Sequence, residues 1–324
     1  MQYKWYYCCV EASTILLKIG GCVMQISKKN LSFMDLCVQH TKVYSKLLRV
    51  DYNLYKNWLD FLVQYYLELT KREQKRERIE NSTVISLLVE SVDCIDGISI
   101  LHQQGAINAT YPLIRKLMEL NFQIKFLLQG DTQNKSLAFE AYYVSRKTKG
   151  NDDSRNIYLY SNKYKAYKEE ADKVFTDDKP KSYPEWYGVY DIVEKSTGSK
   201  KQRQTFISSI KKLCDEIGDS DIYDKVYNMI SKNVHGTFSR DRIKLDPEQN
   251  KNYIDYYRNP IGIKFQARCN NYMIIEIYTA ICEHYKVNID SEFIKNQYKT
   301  VEDIKNKENE YKKYLEKCKR QSLG

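Results

Sequence analysis

The chain has 324 residues, enough to bury a full core as one large helical domain or as a main domain with helical appendages. Five Pro and twelve Gly are few for this length and count against a strand-rich fold with many tight turns. The formal net charge of +10 draws polyanions to a surface, but Lys is abundant together with Asn, Tyr and Ile, so part of the excess is a bias spread over every helix.

The nine cysteines are scattered. No pair has CxxC spacing and none lies near a His in a zinc-like arrangement, so reduced thiols of a cytoplasmic protein are expected, with no metal and no cofactor. Residues 1–23, MQYKWYYCCVEASTILLKIGGCV, are apolar, but Glu11 and Lys18 interrupt them, Lys4 is the one basic residue ahead of the run, and the run is short for a membrane span. Met24 opens MQISKKN, which reads like a natural start, so residues 1–23 are expected to be weakly attached, and the N-terminal extension as a whole is placed at residues 1–30. No later window approaches a span of 18 uninterrupted apolar residues, and stable membrane insertion is not expected.

From about Leu31 to Thr70, Leu36, Val43, Leu47, Leu48, Leu54, Trp58, Leu62 and Tyr65 fall near helical spacing, as one long helix or two consecutive ones. KREQKRER, Lys71 to Arg78, reads as a solvated helix face or connection. Asn81, Ser82 or Thr83 is positioned to cap the next helix, which carries Ile85, Leu88, Val92, Ile95 and Ile98 and stops near Gly105. The most regular segment comes next. Leu113, Leu117, Leu120, Ile124 and Leu127 form its core stripe, and Gly130 ends it. Tyr111, Arg115, Glu119, Phe122 and Phe126 form a second stripe at the same period. An Arg and a Glu one turn apart within an aromatic face imply partial burial and mutual pairing, because an unpaired charge is costly to desolvate.

Further helices are expected at about Thr132 to Lys149 and Tyr158 to Phe175. A loop with Trp186 and Tyr187 should come after them, its aromatics plugging the core edge or stacking on bases. SKKQRQTFISSIKKLCDEIGD gives one more helix. Asp219 or Ser220 then caps a helix with Tyr223, Val226, Ile230 and Val234 as core stripe and Tyr227, Ser231 and His235 along the adjoining flank. Gly236 would stop it, leaving His235 in the last turn, where the carbonyl end of a helix favours an imidazolium. Such a row suits a cleft between helices and equally suits a packed histidine. FSRDRIKLDPEQNKNYIDYYRNP reads as a long polar connection, Ile263 to Tyr285 as another strong helix, and Ser291 to Arg320 as a charged peripheral helix. The expected class is therefore all-α: one large helical bundle over residues 31–288, with 289–324 as a peripheral helix.

Four segments, YPLIRKLMELNFQIKFLL, AFEAYYVSRK, the WYG of EWYGVY, and YDKVYNMISKNVHG, resemble an uncharacterised prokaryotic family catalogued as domain of unknown function 5677. The resemblance spans about Val84 to His235, and by it Arg115, Glu119, Ser231 and His235 are the functional positions, with Tyr111, Tyr227, Lys232, Asn233 and Arg240 as expected substrate contacts around them. That family is in turn similar to the HEPN class of helical domains, many of them ribonucleases of toxin, abortive-infection and antiphage systems, marked by an Arg followed about four to six positions on by a His. In that chemistry the His moves a proton at the 2′-hydroxyl or leaving oxygen and the Arg stabilises phosphate charge. This sequence departs from the mark, because no Arg precedes His235 in its helix and the nearest basic residue on that side is Lys232. Arg115 would have to supply the charge from another helix, with His235 as acid or base and Glu119 orienting one of them. The resemblance implies a HEPN-like core, RNA or nucleotide as partner, metal-independent endoribonuclease activity and a homodimer. The competing expectation is a non-catalytic interaction or sensor module whose Arg, Glu and His tie the bundle together.

Overall fold

The computed structural model describes residues 15–19, 22–26, 41–73, 79–148, 161–176, 185–196, 206–234, 243–246, 251–254 and 260–323. The fold is all-α, with two short antiparallel hairpins: β1 (Ile15–Ile19) with β2 (Cys22–Ile26), and β3 (Ile243–Asp246) with β4 (Lys251–Ile254). β2 runs through Met24, which pairs with Leu17. The second hairpin lies inside the segment expected to be a polar connection. IKLD alternates apolar and polar residues over only four positions and KNYI does not alternate at all, a strand signal too short and too weak to stand out beside the charges around it.

Helices α1 (Thr41–Glu73) and α2 (Ile79–Gln103) form an antiparallel hairpin. A 3-10 turn (Ile107–Thr110) then leads into α3 (Tyr111–Leu128). α3 is the axis of the bundle, because its two apolar stripes cover most of its circumference. Leu117, Leu120, Ile124 and Leu127 are fully buried on one side, and Phe122 and Phe126 are buried on the other. It packs on α2, on α7 (Ile210–Ile217), on α9 (Asn228–Val234) and on α10 (Ile263–Tyr285). At α2, Gly97 lets the Leu113 side chain of α3 approach, since a Cβ there would lie 2.9 Å from its Cδ1.

A satellite core joins α4 (Thr132–Thr148), α5 (Asn162–Thr176) and α6 (Trp186–Ser196). Ala138, Ala141 and Ala171 let these helices close on Tyr164 and Tyr167. Trp186 and Tyr187 open α6 instead of sitting in a loop, and both are buried. The indole explains the helical start: its Nε1 donates to Gln123 Oε1 at 2.8 Å and its ring packs on Phe126 and Phe139.

Of two expected helix starts, that near Asn81 shifts, while that at Asp219 holds without its side-chain cap. α2 begins ahead of Asn81, whose Oδ1 accepts from the Tyr285 hydroxyl at 3.0 Å instead of capping the helix. Asp219 makes no side-chain cap, being held by Lys125. By contrast α7 ends as its sequence demands, on Gly218 with φ of 82°. Its described start is Ile210, capped by the Ser209 hydroxyl accepting from the Lys212 amide.

The charged C-terminal segment forms α11 (Ser291–Leu323), which docks on α1 and α10. Ile294, Gln297, Val301, Ile304, Glu308, Tyr311 and Leu315 recur at alternating spacings of three and four, the pattern of a coiled-coil seam. Phe293 stacks on Phe61 with centroids 4.0 Å apart, and Tyr311 meets Tyr44 at 5.9 Å, so α11 runs antiparallel to α1. Glu308, fully buried in the seam, accepts from the Lys264 amide at 2.9 Å in the first turn of α10. A carboxylate there satisfies an orphan N–H and complements the positive end of the helix.

Candidate functional site

Of the sequence-predicted residues, Arg115 and Glu119 on α3 and Tyr227 on the 220–234 helix come together. Arg115 Nε donates to Glu119 Oε1 at 2.9 Å and to the Tyr227 hydroxyl at 3.0 Å, while that hydroxyl donates to the same Glu119 oxygen at 2.6 Å. One N–H thus faces two acceptors that are bonded to each other, which fixes the plane of the guanidinium. The Arg115 and Glu119 side chains keep 30% and 21% of their surface open. Burial works against the Arg115 charge, but the bonds to Glu119 and Tyr227 outweigh it and hold the guanidinium protonated. Burial, then the bond to Glu119, raises the Tyr227 phenol well above its ordinary value, so the hydroxyl remains a donor. Tyr187 lies in the field of Glu119 and Tyr227 from α6, its phenol also raised, chiefly by burial.

A break in helical register delivers Tyr227. The helix runs as α8 (Ser220–Ile222), a π-turn over Tyr223–Tyr227 in which the Asn228 amide bonds back to the Tyr223 carbonyl, and α9. The i→i+5 turn inserts one extra residue and rotates the face that α9 presents. The expected core stripe through Tyr223 and Val226 is therefore corrected: Tyr227 and Ile230 are buried, while Tyr223, Val226 and Val234 are half-buried. The sequence carries no mark of such a turn.

Of the other expected residues, Tyr111 sits half-buried at the start of α3, and Ser231 and Asn233 are half-buried on α9. Asn233 Nδ2 donates to the Met229 carbonyl at 3.0 Å, a local use that takes up one of its donors. Lys232 is exposed. His235 and Arg240 lie outside the described residues.

Two polar clusters escaped the sequence. Lys125 donates to Asp219 at 2.7 and 2.9 Å and to Glu276 at 3.0 Å, joining α3, α10 and the residue that precedes α8. Deeper in, His102 is sealed between α1 and α10. Its Nε2 lies 2.8 Å from Gln266 Oε1 and its Nδ1 2.8 Å from Asp51 Oδ2. Gln266 Nε2 donates to the Ile107 carbonyl at 3.0 Å, which turns Oε1 toward the imidazole, and the Thr110 hydroxyl also lies 2.8 Å from that oxygen. Nε2 must then donate, and the bond between Nδ1 and the carboxylate needs a proton of its own. Nothing in the spacing of Asp51, His102 and Gln266 along the chain foretells this chain of bonds. Among the described residues, no three His, Cys, Asp or Glu side chains converge so as to hold a metal ion, and no helix is long and apolar enough to cross a membrane.

The family model described as Family of unknown function (DUF5677) matches residues 81–252, just over half of the chain. The chain belongs to this family. No curated protein and no solved structure matches it. Within DUF5677 bounds lie nearly all of α2, then α3 through α9 and β3, and hence the whole Arg115–Glu119–Tyr227 cluster; α1 and α10 fall outside and pack against the matched segment, and α11, also outside, docks on those two helices. The sealed network crosses that boundary, with His102 and Thr110 inside it and Asp51 and Gln266 beyond it.

Proposed function

We propose that this DUF5677 protein binds RNA through its phosphates at the contact of α3 with the 220–234 helix, and cleaves it without a metal. The observation that supports this reading is the Arg115–Glu119–Tyr227 cluster: it joins side chains 112 residues apart, holds a charged guanidinium at a fixed angle, and leaves about a third of it open. A fixed, partly desolvated Arg binds a phosphodiester and stabilises the charge that builds on it during transfer. In the cleavage step a 2′-hydroxyl attacks the adjacent phosphorus, the bond to the 5′-oxygen breaks, and the products are a 2′,3′-cyclic phosphate and a 5′-hydroxyl. His235, the residue after Val234 in the sequence, takes the proton from the 2′-hydroxyl or returns one to the leaving oxygen. The homodimer implied by the HEPN resemblance belongs to the same proposal and is read from the sedimentation of the purified protein.

The mutual satisfaction of Arg115, Glu119 and Tyr227 favours a second reading, an interaction module in which the cluster only fastens two helices. One experiment separates the two. Wild type, Arg115→Lys and His235→Ala are incubated with single-stranded RNA in the presence of a chelator, after thermal unfolding shows all three folded. The proposal expects binding that weakens in Arg115→Lys, which loses the planar fork but keeps the charge and hence the salt dependence, and cleavage that is lost in His235→Ala. No binding and no cleavage by any of the three would establish the interaction module.

A further inference from the structure

We infer that Tyr223 is a stacking platform for an unpaired nucleobase, which makes single-stranded RNA the substrate class of the proposed site; the inference rests on that reading. Tyr223 and Tyr227 are the first and last residues of the π-turn. Their rings stack with centroids 5.1 Å apart at 21°. Tyr227 is held at its hydroxyl by Arg115 and Glu119 and at its ring by Phe122, 6.3 Å away. Its neighbour is held differently. Tyr223 is only half-buried, and its hydroxyl makes no hydrogen bond among the described residues. A half-buried planar ring backed by a fixed parallel ring, its hydroxyl without a hydrogen bond among the described residues, offers a face to another planar group at low entropic cost.

Charge decides what that group is and how it lies. Arg115 sits 5.5 Å from the Tyr227 ring centroid, so the cation that would take a phosphate is one residue away from the stack. On the helix carrying Tyr223, Asp224 is exposed, and Asp221 is exposed and paired with Lys225 at 2.7 Å. Asp224 repels phosphate on its side and directs it toward Arg115, leaving the uncharged base over Tyr223. A duplex keeps its base faces covered by neighbouring pairs, whereas a single strand can splay a base onto an aromatic ring.

The test is a single-stranded oligoribonucleotide carrying one 2-aminopurine, whose fluorescence falls on stacking, titrated into wild type, Tyr223→Phe and Tyr223→Leu. Leu fills the half-buried volume without a π-face, and matched thermal midpoints confirm the fold. Wild type and Tyr223→Phe should bind alike and quench. Tyr223→Leu should lose the quench and bind roughly 5- to 150-fold more weakly, the range that about 1–3 kcal/mol per stacked base gives, with the salt dependence unchanged because no phosphate contact is removed. A duplex of the same sequence should compete poorly. Unchanged binding and quenching in Tyr223→Leu, or equal binding of the duplex, overturns the platform and leaves RNA binding at Arg115 standing. No binding by wild type at any salt overturns both.

Discussion

Two of the hydrogen-bonded clusters around a basic side chain, one at Arg115 and one at His102, differ in what surrounds them. Arg115, Glu119 and Tyr227 sit at the rim of a helix contact with solvent on one side. His102, Asp51 and Gln266 are sealed in the core, the His102 and Asp51 side chains 0% and 1% exposed. The first cluster can meet a ligand without unfolding. The second can meet only the helices that enclose it, so its role is to fix α1 and α10 against α2. The sealed histidine, with no solvent-facing side, is a poor functional candidate.

Alkali should act on both regions and is the largest perturbation expected. Burial raises the phenol of Tyr55, beside the sealed network, and that of Tyr227, in the open cluster. An unfolded tyrosine ionises near pH 10. The unfolded chain therefore loses these protons first, so their contribution is intact below about pH 10 and is lost as pH rises through the folded-state values. Phenolate absorbance should then rise in step with loss of helical circular dichroism. Ionisation of every tyrosine near pH 10 with the helices intact would contradict this.

His102→Ala separates the regions. It leaves the Asp51 carboxylate buried without its partner and should cost about 3–5 kcal/mol in urea unfolding. Asp51→Asn keeps a hydrogen-bonding side chain of the same shape and should cost nearer 1 kcal/mol. Equal losses would mean that charge, not hydrogen bonding, holds the network.

Glu308→Ala comes next, removing the acceptor from the Lys264 amide, at about 1–3 kcal/mol. Hydrogen exchange should then quicken in the first turn of α10 and along α11, sparing α4 to α6. Tyr227→Phe should cost about 1 kcal/mol, because Arg115 and Glu119 keep their own bond at 2.9 Å; a loss as large as that of His102→Ala would make the open cluster structural. Asp221→Ala, in an ion pair whose side chains are 72% and 85% exposed, should shift stability by less than about 0.5 kcal/mol.

Sequence pattern resolves the helices with strong apolar stripes, and α3 most fully, because eighteen residues at a constant period leave no second solution. Arg115 and Glu119 were legible for the same reason, lying one turn apart inside an aromatic stripe. Their third member was placed on the right helix but on its flank, since a π-turn changes phase without changing composition. The docking of α11 was hidden differently. Its seam is regular, yet Gln297 and Glu308 occupy two of its positions and charges fill the rest of the helix, so a stripe that buries well averages out as polar. Asp51, His102 and Gln266 were illegible because each pairs across more than fifty residues through geometry alone.

The carboxylate of Glu308 also imposes an order on synthesis. Lys264 leaves the ribosome 44 residues before the group that completes its helix end, a wait of roughly 2–9 s at 5–20 residues per second. During that interval α10 has an unsatisfied first turn and α1 an uncovered apolar face. The nascent chain is thus most exposed to misassociation after its family segment has been made and before α11 arrives.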